Sequence, residues 1–228
     1  MNFNYKFYRF VYAKAPIDHM LNIEKAAIKE SHLMNRYTWK KIRKCPFSKE
    51  FLDLVLHNIA NVLHPPRCMV FYLPKNHPDL TFAMHTWDCL LAERLGDYDD
   101  KLEMLSLRFT TKFLPKNEGA IRELCYYRGN KLQRIIRVME DPRWDLWVDG
   151  EQQPFEEGKS YEKIKRKLIR DYFTMDDMTR FATNWGCPFD QDEFWDSDQP
   201  MYVFGGLEND ENLADWQERN VCVSQFNS

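Results

Sequence analysis

Residues 103–149 read EMLSLRFTTKFLPKNEGAIRELCYYRGNKLQRIIRVMEDPRWDLWVD, and this stretch decides the fold. Apolar and polar residues alternate in four runs, as they do in strands whose two faces have different surroundings. Turn-forming residues separate the runs at 115–119, at Gly129-Asn130 and at Asp141-Pro142. Because such short turns connect antiparallel neighbours, the sequence predicts a meander of four antiparallel strands.

Further elements are predicted on the N-terminal side of the meander. The aromatic alternation of FNYKFYRFVY predicts a strand at residues 3–12 with one solvent-facing side. Apolar residues at helical spacing follow, and Ser48 has the position of a helix N-cap while Gly96 is a stop signal. These patterns predict helices at residues 17–31, 48–62 and 76–96, and a buried strand at residues 68–74.

The C-terminal third mixes helical, acidic and strand-like patterns. Residues 159–172 are basic and amphipathic, and Thr174 with Asp177 resembles a capping box for a helix that Gly186 ends. An acidic irregular stretch and a short strand, MYVF, come next. The sequence therefore predicts an α+β fold in which helices pack on a mainly antiparallel sheet. We expect a single domain over residues 1–228, with an acidic extension from about residue 205.

The composition indicates a globular protein. Of the 228 residues, 44% are hydrophobic and 15% aromatic, and the mean hydropathy is −0.62. No apolar run has the roughly 18 residues that cross a bilayer, and the first residues lack the pattern of a secretion signal. The six cysteines are far apart and form no CxxC pair. We therefore expect a cytoplasmic chain with reduced, mostly buried thiols.

Charge is distributed unevenly along the chain. Residues 171–228 hold 2 Lys and Arg against 13 Asp and Glu, whereas the net charge of the whole chain is −3. An acidic region on a basic body attracts basic partners and repels nucleic acid. The alternative is that this acidic region neutralises the basic segments of its own chain.

The acidic region contains the strongest candidate binding site. A pair of aromatic residues lies among carboxylates there, and such a group suits the recognition of a basic protein surface, with rings as anchors and acids for steering. The alternative is that the rings pack inward and the acids remain solvated. The predicted partner-binding residues are Asp192, Glu193, Phe194, Trp195, Asp196 and Asp198, with a second acidic cluster at Asp97, Asp99 and Asp100.

Signatures of catalysis are missing from the sequence. It has no nucleophile elbow, P-loop or GxGxxG, and its histidines show no HExxH or related metal spacing. We therefore expect no catalytic residue, no metal and no cofactor. Two alternatives stay open. One is an enzyme whose pocket gathers His57, His64, His77 or His85 with carboxylates, and the other is a nucleic-acid-binding protein that uses the basic runs at residues 40–44 and 163–170.

Residues 137–195 resemble the C-terminal part of bacterial immunity-type proteins of polymorphic toxin systems. The matching features are Arg143-Trp144, Gly150-Glu151, Pro154-Phe155-Glu156, Tyr161, Gly186 and Phe194-Trp195. The resemblance covers about a quarter of the chain. It implies a small cytosolic antitoxin-like protein that binds and blocks a toxin domain and has no active site of its own. We therefore expect a non-enzymatic module whose acidic C-terminal surface binds a basic toxin domain.

Overall fold

The computed structural model describes residues 7–33, 42–52, 68–85, 91–110, 120–140, 142–159 and 168–205. Its strands are β1 (Phe7–Ala13), β2 (Ile42–Cys45), β3 (Cys68–Tyr72), β4 (Thr81–His85), β5 (Glu103–Thr110), β6 (Ile121–Arg128), β7 (Lys131–Glu140), β8 (Trp144–Gly150) and β9 (Met201–Gly205). Its helices are α1 (Ile17–Leu33), α2 (Leu91–Gly96) and α3 (Met175–Trp185).

All nine of these strands belong to one sheet in the order β2-β9-β3-β4-β1-β5-β6-β7-β8. Each neighbouring pair is antiparallel. The predicted α+β class with a mainly antiparallel sheet is therefore confirmed. Among the described residues, no helix combines the length and the apolar character that spanning a membrane requires.

The predicted meander is strands β5 to β8. A row of apolar residues crosses it, because Leu107 lies opposite Leu124, Leu124 opposite Ile136, and Ile136 opposite Val148. Gly129 takes a positive φ of 57° in the turn between β6 and β7, a conformation that glycine adopts without strain. The alternating pattern and the turn residues thus set both the number of strands and their pairing.

The sheet is covered on both faces. One face, which we call the aromatic face, carries Tyr8, Phe10 and Leu107 and is covered by α3 and the segment after it. The opposite face, which we call the helix face, carries Val11 and Met104 and packs against α1 and α2. The prediction that β1 has a solvent-facing side is wrong, because β1 lies between β4 and β5 in the middle of the sheet and is buried on both sides.

The prediction of one helix over residues 76–96 is also wrong. Residues Thr81–His85 form the strand β4, and only Leu91–Gly96 is helical in the described part of this range. Leu80, Met84 and Leu91 fit a helical period by coincidence, since a strand buried on both faces shows no alternation. Gly96 does end the helix, as predicted.

The remaining predicted elements have mixed outcomes. Helix α1 and strands β3 and β9 are confirmed, and Ser48 accepts a hydrogen bond from the Phe51 amide, as an N-cap does. Helix α3 has its predicted capping box and ends at Gly186, whose φ is 112°. In the basic amphipathic segment 159–172, whose pattern suggests a helix, Ile169–Asp171 is a 3-10 turn. Residues 3–6, 53–62, 160–167 and the predicted extension from residue 206 lie outside the described residues.

Candidate functional site

The acidic segment, residues 190–198, follows α3 and leads into β9. It contains the 3-10 turn Asp192–Trp195 and then a turn held by the Ser197 hydroxyl. That hydroxyl donates to the Gln199 carbonyl and accepts from the Gln199 amide, both at 3.1 Å. The segment is therefore a locally ordered part of the layer that covers the aromatic face.

The two rings of the acidic segment lie inside the core. Phe194 is 1% exposed and Trp195 is fully buried. The Trp195 ring centroid lies 5.2 Å from that of Phe10 and 5.8 Å from that of Phe82, and its Nε1 donates to the Phe189 carbonyl. Phe194 and Trp195 therefore cannot act as surface anchors. The expectation that they are partner-binding residues is wrong, because burying two large rings against the aromatic face stabilises the core.

The carboxylates of the same segment stay at the surface. Asp192, Glu193 and Asp198 are exposed, and Asp196 is partly exposed. The Lys75 ammonium lies 3.1 Å from an oxygen of Asp198 and 3.8 Å from one of Asp196. Its hydrogen bond to Asp198, followed by the charges of both carboxylates, raises the pKa of Lys75. The segment thus keeps its carboxylates at the surface, where Lys75 offsets part of their charge, as the alternative of neutralisation within the chain predicts. The role of this surface in partner binding remains a prediction.

An open cleft of about 430 Å³ adjoins the acidic segment. We call it the acidic cleft after the segment beside it, and its lining residues are Lys44, Cys45, Pro46, Phe47, Ser197, Asp198, Gln199 and Pro200. The antiparallel pairing of β2 with β9 brings the two lining stretches together. No local pattern in the sequence indicates the cleft, because the two stretches are more than 140 residues apart and only tertiary pairing joins them.

The Cys45 thiol, which lines the acidic cleft, is not an activated nucleophile. Burial raises the pKa of the Cys45 thiol to about 11, so that this thiol stays protonated at neutral pH. Its Sγ lies 3.6 Å from the Met201 carbonyl oxygen. Phe47 is partly buried with its ring centroid 5.1 Å from that of Tyr72, and it offers an apolar wall. The cleft therefore combines apolar walls with one exposed carboxylate, Asp198, which already pairs with Lys75, and one exposed ammonium group, that of Lys44.

The second predicted acidic cluster belongs to the opposite side of the sheet. Asp97, Asp99 and Asp100 follow α2, which packs on the helix face. Asp99 accepts hydrogen bonds from His19 at 2.8 Å and from the Lys101 amide at 2.9 Å. Partial burial acts to raise the pKa of Asp99, but these hydrogen bonds outweigh it and hold the pKa below its usual value.

Asp97 also has an internal partner, since it accepts a hydrogen bond from the Asn130 side chain at 2.8 Å. Asp100 is exposed. The structure therefore does not join the two predicted acidic clusters into one surface.

Of the four histidines in the alternative enzyme hypothesis only His77 has a described side chain, so their convergence stays a prediction. His19 pairs with Asp99, and the His77 ring packs 5.0 Å from the Phe194 ring. His57 and His64 lie outside the described residues, and the side chain of His85 is not described. In the described part of the chain, no three His, Cys, Asp or Glu side chains form a group that could hold a metal ion.

Glu156 and Glu157 are adjacent in the sequence but have opposite surroundings in the fold. Glu156 is fully buried and holds Arg134 through two hydrogen bonds, of 2.8 Å and 2.7 Å, whereas Glu157 is exposed. Arg134 also donates to the Gly150 carbonyl at 2.6 Å. This pair ties the turn at residues 154–156 to β7 and β8, and its role is structural.

Comparisons with known proteins identify no relative. No family model matches the chain, and searches of curated proteins and of solved structures find no significant match.

Proposed function

We propose that the protein is a non-enzymatic protein-binding module that takes a basic side chain of its partner into the acidic cleft. The observation that carries this proposal is the position of the cleft beside exposed carboxylates of the acidic segment. A cleft of this size lies within the range of ordinary small-ligand pockets. It has room for one long side chain of a docked protein.

A lysine or arginine side chain fits the lining of the cleft. Its aliphatic stem can pack on Pro46, Phe47 and Pro200, and its charged end can take the place of Lys75 beside Asp198. Asp192 and Glu193, exposed on the same segment, supply negative potential that steers a basic surface towards the cleft. Because the two rings of the segment are buried, charge and the apolar walls of the cleft carry recognition in this proposal.

The partner class that we propose is a basic bacterial toxin domain, which would make the protein a cytoplasmic immunity protein. The resemblance of residues 137–195 to immunity-type proteins supports this class. So does the excess of acidic residues in the C-terminal region, because a basic nuclease surface is complementary to it.

The test is co-expression of the tagged chain with the product of the adjacent gene, followed by calorimetry on the purified complex. We expect the double charge reversal Glu193→Lys with Asp198→Lys to weaken binding at least about tenfold. The matched control is Asp97→Lys with Asp100→Lys, which places the same charge change on the opposite side of the sheet. Equal affinities of the two double variants for the partner contradict the role of the cleft.

A further inference from the structure

Strand β8 forms one end of the sheet. Within the described ranges it pairs with β7 alone, so that its outer side presents backbone N–H and C=O groups that no strand covers. The strand at the other end, β2, is short and basic, with four residues that read IRKC. Short, charged edges of that kind resist pairing with another chain. Strand β8 has seven residues, which is long enough to accept a further strand.

An exposed ring lies in the middle of β8. Side chains along the strand alternate, so that Trp144, Leu146 and Val148 pack against the core of the aromatic face while Trp147 lies on the helix face. Trp147 is 44% exposed. The Arg137 guanidinium packs 4.5 Å from the centroid of the Trp147 ring, on the neighbouring strand β7.

Two exposed carboxylates flank this ring on the same face of β8. Asp145 lies opposite Met139 of β7 and Asp149 lies opposite Ile135, so that neither faces a cation across the strand pair. In the part of the chain that the structure describes, no ion pair involves either carboxylate. Asp149 does accept a hydrogen bond from the Gly150 amide at 2.8 Å. The edge therefore carries two negative charges four positions apart.

We propose that β8 is a docking edge for an extended basic segment of a partner protein, which adds to the sheet as a tenth strand. The backbone of that segment bonds to the outer side of β8, as in other cases of strand addition. Side chains on one face of adjacent strands meet in pairs. Lysines or arginines four positions apart would therefore lie beside Asp145 and Asp149, with the residue midway between them beside Trp147.

A second copy of this chain is a poor occupant for the same edge. The strand reads WDLWVDG and contains no Lys or Arg, so two β8 strands side by side would bring four carboxylates to one seam. Like charges that face each other across a strand pair are destabilising. The proposal is also independent of the acidic cleft, which lies beside β2 and β9 at the other end of the sheet.

The test uses two fluorescein-labelled peptides, TKVTVKT and TEVTVET, and measures their affinity by fluorescence anisotropy. We expect the lysine peptide to bind at least about tenfold more tightly than the glutamate peptide. The double variant Asp145→Lys with Asp149→Lys should reverse this preference, while Glu193→Lys with Asp198→Lys should leave it unchanged. The backbone nitrogens of the lysine peptide can be methylated at its odd or at its even positions. Only one of these two peptides should lose binding, because only one set of N–H groups faces β8.

Four results would overturn the proposal. The first is no binding of the lysine peptide at about 1 mM, and the second is equal binding of both peptides to the unaltered chain. The third is a concentration-dependent dimer that disappears in the Asp145→Lys, Asp149→Lys variant, which would assign the edge to a second copy. The fourth is tighter peptide binding after Lys163, Lys165 and Lys167 are changed to Ser, which would mean that a segment of the same chain competes for the edge.

Discussion

Two tryptophans of this protein have similar sequence surroundings and opposite positions in the fold. Trp195 lies among the carboxylates of the acidic segment and is fully buried, whereas Trp147 lies between Asp145 and Asp149 and is 44% exposed. A ring flanked by acids suggests a docking site in both places. Only at Trp147 does the ring reach the same surface as its acidic neighbours.

The difference comes from the local backbone. In a strand, residues two positions apart share a face, so Trp147 has to point to the same side as the acids at 145 and 149. In the short turn Asp192–Trp195 no such alternation applies, and packing against the aromatic face decides where the rings go. An aromatic residue among acids therefore indicates a binding surface only when the secondary structure places ring and acids on one side.

The largest expected effect separates these two tryptophans directly. Trp195→Ala should lower the free energy of unfolding by about 4 kcal/mol, because it removes a fully buried ring and leaves a cavity. Trp147→Ala should lower it by less than about 1 kcal/mol, since this residue lies at the surface and is 44% exposed. Urea denaturation of both variants measures the contrast. Similar losses in the two variants would contradict the assignment of one ring to the core and the other to the surface.

The adjacent carboxylates of Glu156 and Glu157 provide a second contrast between a buried and an exposed side chain. Glu156→Gln should cost about 3 kcal/mol of unfolding free energy, because it leaves the buried Arg134 charge without its partner. Glu157→Gln changes the adjacent, exposed residue in the same way and should have almost no effect. Thermal or urea unfolding of the two variants checks this, and a small loss for Glu156→Gln would mean that water reaches the pair.

A third contrast lies at the start of α3, and it depends on pH. Partial burial acts to raise the pKa of Asp177, but hydrogen bonds from Lys159 and from the Thr174 amide and hydroxyl outweigh it and lower the pKa. A lowered pKa in the folded state means that the ionised carboxylate stabilises the fold above the unfolded pKa of about 3.9. This contribution is lost as the pH falls through the lower, folded value.

Asp177→Asn should therefore cost about 2 kcal/mol at pH 7, and the difference from the unaltered chain should shrink below about pH 4. Asp176→Asn is the matched control, because Asp176 is the exposed neighbour in the same helical turn. Unfolding curves between pH 2.5 and pH 7 measure both differences. A loss for Asp177→Asn that stays constant over this range would show that its carboxylate is not the stabilising group.

The sequence was sufficient to predict those elements of the fold in which the local residue pattern agrees with the tertiary surroundings. The meander and α3 were predictable because alternation, turn residues and caps all indicate the same elements. Strand β4 was not, because a strand buried on both faces has no alternation to detect. The acidic cleft was not predictable either, because it exists only where β2 pairs with β9.

The smallest expected effect is spectroscopic, and it tests the exposure of Trp147 without changing stability. Trp147→Phe should reduce the fraction of tryptophan fluorescence that acrylamide quenches in the folded protein, since this indole is in contact with solvent. Iodide, which is an anion, should quench Trp147 less well than acrylamide does, because the two charges of Asp145 and Asp149 outweigh the single Arg137 cation beside the ring. Changing both aspartates to Asn should therefore raise iodide quenching and leave acrylamide quenching unchanged. If iodide quenching is the same before and after that change, the carboxylates do not shape the potential at this edge. The charge preference proposed for β8 would then lose its basis.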